Sequence, residues 1–244
     1  MAQKILSIDI REDLVCGVMV MQSGSESTVI ECGVSVVTDK VYKDAVEDVL
    51  GHLSYSGELC RVSFGAENFF FRNLSFPFHD KKKIEKILGI ELEENVPLDI
   101  SDLLVDSLVT GKKGQESTVV VAMAYREFIA ERLDELKSLQ IDPEIIAISS
   151  VQTALQLSRI SSLADFILLD CSCDRFTIFV MQDGRMRLIR PFVFDDGSLA
   201  QFSLDKNSQF VSAKKVEKIA DTYKNICREV RRTLYSIENI EPDI

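Results

Sequence analysis

The segment from Phe76 to Asp106 constrains the fold more than any other part of the chain, because it contains one amphipathic helix with a clear start and end. Asp80 is a suitable N-cap, and Asn95 before Pro97 ends the helix. The apolar residues recur with helical spacing at Ile84, Ile87, Leu88 and Leu92. The sequence therefore predicts a helix over residues 80–95 that buries one face and exposes a charged one.

The exposed face of this helix changes from basic at its start, Lys81 to Lys83, to acidic at its end. This order opposes the helix dipole, so it costs stability rather than adding to it. Five acidic residues, which we call the acidic row, lie at and after the helix end: Glu91, Glu93, Glu94, Asp99 and Asp102. We predict that the acidic row binds a basic partner, and the alternative is an ordinary solvated surface.

Length and composition limit the class of protein. A chain of 244 residues exceeds the common size of one domain, which favours two lobes. The net charge of −11 argues against nucleic acid as a partner. No segment approaches the about 18–20 consecutive apolar residues of a membrane helix, and the N-terminus does not resemble an export signal. We therefore expect a soluble protein that is not exported.

The six cysteines never form the paired Cys-X-X-Cys spacing of a zinc site, so no metal site is expected. They lie in apolar segments, which predicts reduced, buried thiols. Cys171 and Cys173 form a Cys-X-Cys pair, which we interpret as small-residue packing, with metal or redox work as the alternative.

The chain begins with a predicted β-meander, followed by a helix and a further strand. The predicted strands are 4–9, 14–21, 28–37 and 59–64, with the helix at about 40–53. Strands near 103–109 and 118–124, a helix over 125–140, a strand over 144–148 and a short helix follow. A second meander is predicted at 166–170, 176–181 and 186–192. The chain therefore repeats a βββα unit.

A long helix from about Ser212 follows the second meander. Its predicted buried stripe is Val216, Ile219, Ala220, Tyr223, Ile226, Cys227, Val230, Leu234 and Ile237. The other face is basic, with Lys214, Lys215, Lys218, Lys224, Arg228, Arg231 and Arg232. This face is either solvated or a docking surface for an acidic partner or lipid headgroups.

Each meander has an aspartate at the end of its first strand, Asp9 and Asp170, and this repeat is typical of the actin-like, ribonuclease H-like two-lobed α/β fold. In that fold a nucleotide lies between the lobes. The phosphate turns need glycine two residues after each aspartate, so that the backbone can approach phosphate. Arg11 and Ser172 stand at those positions instead.

Two interpretations of these turns remain open. The aspartates are relics of a nucleotide site, or ATP and magnesium bind weakly, with Arg11 contacting phosphate and Ser172 and Thr177 donating hydroxyl groups. No histidine, glutamate or lysine forms a recognisable catalytic motif near either turn, since His52 and His79 are far apart. We therefore expect no enzyme activity.

Three motifs carry a resemblance to a known family: FPF-x2-KKKIEKILGIELEENVP, the following DLLVD, and VAMAYREFIAERLDELKSLQIDPEII. With the repeated meander, they make the chain similar to the cytoplasmic domain of the type II secretion inner-membrane platform protein L, a relative of the pilus-assembly protein M. The resemblance covers nearly the whole chain. It implies a first lobe over 1–160 with an inserted α+β subdomain at about 74–141, and a second lobe over 161–244 that is truncated at its C-terminus.

The resemblance implies a scaffold rather than an enzyme. Its expected partners are the N-terminal domain of the secretion ATPase, other inner-membrane platform proteins and a second copy in a homodimer. Its expected place is the cytoplasmic part of a bacterial inner-membrane protein. Pilus-type members keep glycine after the phosphate aspartate, so Arg11 and Ser172 favour the secretion type. The alternatives are a pilus-type nucleotide-binding adaptor and an actin-like kinase that uses Asp170.

Overall fold

The computed structural model describes residues 2–38, 41–172, 175–193, 202–204, 211–213 and 216–238. They form a mixed α/β structure in which two antiparallel meanders lie in separate sheets. No helix within these residues is both long and apolar enough to cross a membrane. The predicted repetition of the meander is confirmed.

The first meander belongs to a five-stranded sheet with the order β3-β2-β1-β4-β8. Its strands are β1 (Ala2–Ile10), β2 (Leu14–Ser23), β3 (Glu26–Val36), β4 (Leu59–Phe64) and β8 (Pro143–Ile148). Strand β4 pairs parallel to both β1 and β8, and the other pairs are antiparallel. The strand order makes β3 and β8 the two edges of this sheet among the described residues.

Helices α1 (Tyr42–His52) and α3 (Arg126–Ser138) contribute to the core of this sheet. Fully buried members of this core include Leu6, Val15, Val46, Val49 and Leu136. Gly17 on β2 allows α1 to lie close, because a Cβ atom there would come within 2.4 Å of Val49 Cγ1. A larger residue at position 17 would push the helix off the sheet.

A second, three-stranded sheet with the order β5-β7-β6 lies between β4 and α3 in sequence. Its strands are β5 (Phe70–Phe76), β6 (Leu103–Lys113) and β7 (Glu116–Tyr125). Helix α2 (Lys81–Asn95) packs on it through Ile84, Leu88 and Leu92. The Asp80 carboxylate accepts from the Lys82 and Lys83 backbone N–H groups at 3.0 and 3.3 Å, so the predicted cap is confirmed. Strand β5 is not predicted from the sequence.

The packing unit around α2 differs from the predicted insert at 74–141. It begins with β5 and ends with β7, because Ile129 and Leu136 of α3 belong to the core of the five-stranded sheet. Helix α4 (Val151–Ile160) follows β8 and packs instead against the second meander. The tighter unit therefore spans residues 70–125.

The second meander forms a sheet with the order β11-β10-β9. Its strands are β9 (Phe166–Ser172), β10 (Arg175–Gln182) and β11 (Arg185–Val193). Phe179, Met181 and Met186 share a core with Ala154 of α4. The remaining described elements are a short hairpin, β12 (Phe202–Leu204) with β13 (Val211–Ala213), and helix α5 (Val216–Glu238).

The predicted buried stripe of α5 is wrong at Tyr223, Cys227 and Leu234, which are exposed. The helix instead turns Glu229 and Thr233 inward. Arg190 of β11 explains this orientation, since its guanidinium donates to Glu229 Oε2 and Thr233 Oγ1, both at 3.1 Å. Burying these polar groups is favourable only because they pair with each other. The side chains of 214–222 lie outside the described residues.

Candidate functional site between the two lobes

Arg11 stands in the turn after β1 and joins three elements through its guanidinium group. Nε donates to Asp9 Oδ2 at 2.7 Å, Nη1 donates to Asp170 Oδ1 at 2.7 Å, and Nη2 donates to Ser150 Oγ at 3.2 Å. Asp9 and Asp170 each lie near the end of the first strand of their meander. The two equivalent aspartates therefore both bind the guanidinium group of Arg11.

Serine hydroxyl groups occupy the remaining oxygens of the two carboxylates. Asp9 Oδ1 accepts from Ser63 Oγ at 2.6 Å and also from Ser149 Oγ. Asp170 Oδ2 accepts from Ser150 Oγ at 2.6 Å. Each of the four carboxylate oxygens thus has a donor, which is how half-buried charges are stabilised inside a protein.

Two further contacts join the turns of the two meanders. Ser172 Oγ donates to Asp13 Oδ1 at 2.5 Å. The Arg175 guanidinium makes two contacts with the Glu12 carboxylate, Nε to Oε2 at 2.8 Å and Nη2 to Oε1 at 2.6 Å. We call the three contacts Arg11 with Asp170, Asp13 with Ser172 and Glu12 with Arg175 the interlobe clasp.

Burial and neighbouring charges act in opposite directions on the pKa of Arg11. Burial by itself would lower the pKa of the guanidinium, but the neighbouring Asp9 and Asp170 outweigh it and hold the pKa above its ordinary value. Burial also raises the pKa of Glu67, which belongs to a 3₁₀ turn (Ala66–Asn68) next to this site. Arg11 therefore keeps its charge at every pH at which the protein is folded.

The predicted site residues are brought together in part. Asp9, Arg11 and Asp170 form one cluster, and Ser172 lies in the neighbouring contact with Asp13. Thr177 is buried on β10, directly opposite Asp170 in the strand register. Their predicted role in phosphate binding is untested and stays a prediction.

Sequence reasoning missed several residues of the cluster: Glu12, Asp13, Ser63, Ser149, Ser150 and Arg175. The sequence does contain one indication of a contact between the two equivalent turns, because they carry opposite charges: Glu12 and Asp13 in one turn and Arg175 in the other. The serines gave no signal, since Ser63 lies in β4 and Ser149 and Ser150 follow β8, and only the fold brings them to Asp9 and Asp170.

The cluster does not fit a magnesium-bound nucleotide, the ligand that an actin-like fold implies. Both carboxylates that would place the metal already accept from Arg11 and serines, and Glu12 and Asp13 would repel phosphate. No group of three potential metal ligands occurs within the part of the chain that the structure describes. A cavity of about 560 Å³ opens at the cluster, and its lining includes Asp9, Arg11, Ser150 and Arg61.

The cysteines depart from the expectation of buried thiols. Cys60 is buried and Cys16 is half-buried, whereas Cys32, Cys171 and Cys227 are exposed. Cys32 lies on edge strand β3 and Cys171 at the end of β9. Cys173 lies outside the described residues.

The acidic row occupies the end of α2 and the following 3₁₀ turn (Ile100–Asp102). Four of its members are exposed, and Glu91 is half-buried. Asp99 accepts from the Ser101 hydroxyl and backbone N–H, and these hydrogen bonds lower the pKa of its carboxyl group. None of the five forms an ion pair with another described residue, so their charge is available to a partner.

A second surface is a groove lined by strands of two different sheets. Strand β6 is the edge of the three-stranded sheet, β8 is the edge of the five-stranded sheet, and a groove of about 450 Å³ runs between them. Its walls are mostly apolar: Phe69, Leu104, Val105, Met123, Ile129, Ile145, Ile146, Ile148 and Val151. We call this the edge-strand groove.

Solved structures with similar folds include a PilM-PilN type IV pilus biogenesis complex, with a TM-score of 0.78 and 16% identity over 98% of this chain and 79% of that chain. The cytoplasmic domain of EpsL, an inner-membrane component of the Vibrio cholerae type II secretion system, has a TM-score of 0.53 and 15% identity over 84% of this chain and 79% of its own. No protein-family model and no curated protein matches the sequence. The chain has the actin-like α/β fold shared by these proteins, as the repeated meander predicts.

Proposed function

We propose that the chain is a non-enzymatic scaffold of a bacterial inner-membrane assembly platform, of the pilus or type II secretion kind, that works on the cytoplasmic side. The edge-strand groove carries the proposal, because it offers an apolar cavity between two strand edges. Exposed edges bind an extended chain through backbone hydrogen bonds, while an apolar groove takes its side chains. The occupant we propose is an extended apolar segment from the cytoplasmic part of a platform membrane protein.

The likeness to a protein solved as a PilM-PilN complex supports this proposal over 98% of the chain. The interlobe cluster supports it as well, since Arg11 already pairs with the two aspartates that would otherwise place a nucleotide's metal ion. We therefore propose that the molecule acts by binding partner proteins through its surface.

The test uses synthetic peptides that cover the cytoplasmic segments of platform membrane proteins from the same genome. Ile145 lines the groove with 48% of its surface exposed, so Ile145→Arg places a charge in the groove without disturbing a buried residue. We expect one peptide to bind the wild type and to bind Ile145→Arg about tenfold or more weakly, a loss typical of an interface anchor.

The matched control is Ile160→Arg, at the exposed end of α4 and outside the groove. It should bind the peptide as the wild type does. Equal weakening in both variants, or no binding by any of the peptides, would contradict the groove as the docking site.

A second partner surface follows from the acidic row. We propose that the acidic row recruits the N-terminal domain of the secretion ATPase, because its carboxylates are exposed and suit a basic surface. The acidic row lies within the unit 70–125, whereas the groove lies between that unit and strand β8, so the two surfaces are separate and one molecule can hold both partners. Self-association as a homodimer is also part of this proposal.

Charge reversal tests the acidic row. The triple variant Glu91→Lys, Glu93→Lys, Glu94→Lys should abolish co-elution with the ATPase domain in size-exclusion chromatography. The control triple Glu127→Lys, Glu131→Lys, Asp134→Lys makes the same change in net charge on the exposed face of α3. If the first triple variant still co-elutes, or if both triple variants fail to co-elute, the acidic row is not the binding surface for the ATPase domain.

A further inference from the structure

The cluster at Asp9 and Asp170 does not fit the magnesium-bound nucleotide that an actin-like fold implies. We propose that Arg11 is a built-in cation that takes the place of a bound metal and phosphate, so that the interlobe clasp keeps the two lobes together with no ligand present. The lobes of this protein are then closed by its own residues rather than by a nucleotide.

The shape of the guanidinium group supports this role. It is planar and offers several N–H donors in a fixed fork, which suits carboxylates placed on different sides. Its three nitrogens contact Asp9 from β1, Asp170 from β9 and Ser150 at the start of α4. One side chain thereby fixes the relative position of two strands in different sheets and of the helix that connects the lobes.

Local charge supports the same conclusion. The guanidinium neutralises part of the charge of the two carboxylates, and three serine hydroxyls satisfy the rest of their oxygens. A divalent cation entering the same place would meet the positive charge of Arg11. A phosphate group would meet the four carboxylates of Asp9, Glu12, Asp13 and Asp170 against only the two guanidinium groups of Arg11 and Arg175, so the excess of negative charge repels it.

The other two contacts of the clasp make the arrangement more than one ion pair. Asp13 with Ser172 and Glu12 with Arg175 join the same two turns on either side of Arg11. The partners are about 160 residues apart in sequence, so each contact fixes one lobe against the other. Both turns carry side chains at the positions where a phosphate-binding turn needs bare backbone.

Hydrogen exchange on the protein without ligand tests the clasp. In the wild type, the backbone amides of the β1–β2 turn and of the adjoining ends of β9 and β10 should be protected, and Mg-ATP should not change their exchange. In Arg11→Ala, both turns should exchange about tenfold faster or more, because the contact between them is lost. The control Arg61→Ala removes an arginine that lines the neighbouring cavity, and it should leave both turns unchanged.

Metal binding gives a second, independent readout. Mn²⁺ should not bind the wild type or Arg61→Ala, and it should bind Arg11→Ala at one site that the further change Asp170→Asn removes. Wild-type protection that appears only with Mg-ATP would overturn the proposal, as would unchanged exchange of the second turn in Arg11→Ala. If Arg11→Ala does not fold, Arg11→Lys takes its place, because lysine keeps the positive charge but lacks the planar fork that holds both carboxylates. Faster exchange in only one turn of Arg11→Lys, or in neither, overturns the clasp.

Discussion

Burial divides the cysteines of the chain into two chemical groups. Cys60 lies in the core of the five-stranded sheet, and burial raises the pKa of its thiol to about 12. Cys171 is exposed at the end of β9, but partial burial and the neighbouring Asp170 raise the pKa of its thiol to about 11. Cys32 and Cys227 are exposed. Because the thiolate is the nucleophile, these differences predict different rates of alkylation.

We expect iodoacetamide at pH 8 to alkylate Cys32 and Cys227 in the native protein and to leave Cys60 unmodified until the protein unfolds. Peptide mass spectrometry with and without denaturant measures this directly. Alkylation of native Cys60 at the same rate as Cys32 would show that the core around β4 opens far more readily than its burial implies.

Glu67 gives a prediction for the pH dependence of stability. Burial raises the pKa of its carboxyl group in the folded state, so the charged form is disfavoured by folding. Its contribution to stability is therefore present at pH values below the unfolded pKa and is lost as the pH rises through the folded pKa. At neutral pH the charge of Glu67 lowers stability.

Glu67→Gln should therefore raise the melting temperature at pH 7.5, by about 1–3 °C for a chain of this size, and the gain should vanish near pH 4. Thermal unfolding at the two pH values measures the effect. A gain of the same size at both pH values would point to a cause other than the carboxyl charge.

Helix α2 shows which elements the sequence determines locally. Its N-cap, its apolar spacing and its end after Asn95 all lie within the helix and its flanks, and the structure confirms each of them. Strand β5 was missed because it forms by pairing with β7, about 45 residues further along the chain, and its own apolar pattern is weak. The orientation of α5 was wrong for a similar reason, since Arg190 of a distant strand decides it.

Leu92 and Ile90 of α2 have side chains of the same size but differ in burial, so they test which face of the helix is packed. Leu92 is fully buried, whereas Ile90 is 61% exposed. We expect Leu92→Ala to lower the free energy of unfolding by about 2–5 kcal/mol, since it leaves a cavity. Ile90→Ala should change it by about 0.5 kcal/mol or less. Urea unfolding measures both, and similar losses would contradict the assigned packing face.

At the scale of the whole molecule, the repeat of the meander predicts two equivalent sheets and places Asp9 and Asp170 at equivalent strand ends. The sequence does not say which anion Arg11 contacts, because a positive charge attracts a phosphate and a carboxylate alike. Only the arrangement of the lobes brings Asp170 within 2.7 Å of it. The edge-strand groove is equally a product of the fold, since β6 and β8 are edges of different sheets.

The most direct test measures the affinity of the full chain for the platform peptide that fills the edge-strand groove, with and without Mg-ATP. A scaffold whose lobes are closed by Arg11 should bind the peptide equally well in both conditions and release no phosphate. Binding that requires Mg-ATP, or phosphate release that Asp170→Asn abolishes, would contradict the account and identify a nucleotide-driven protein.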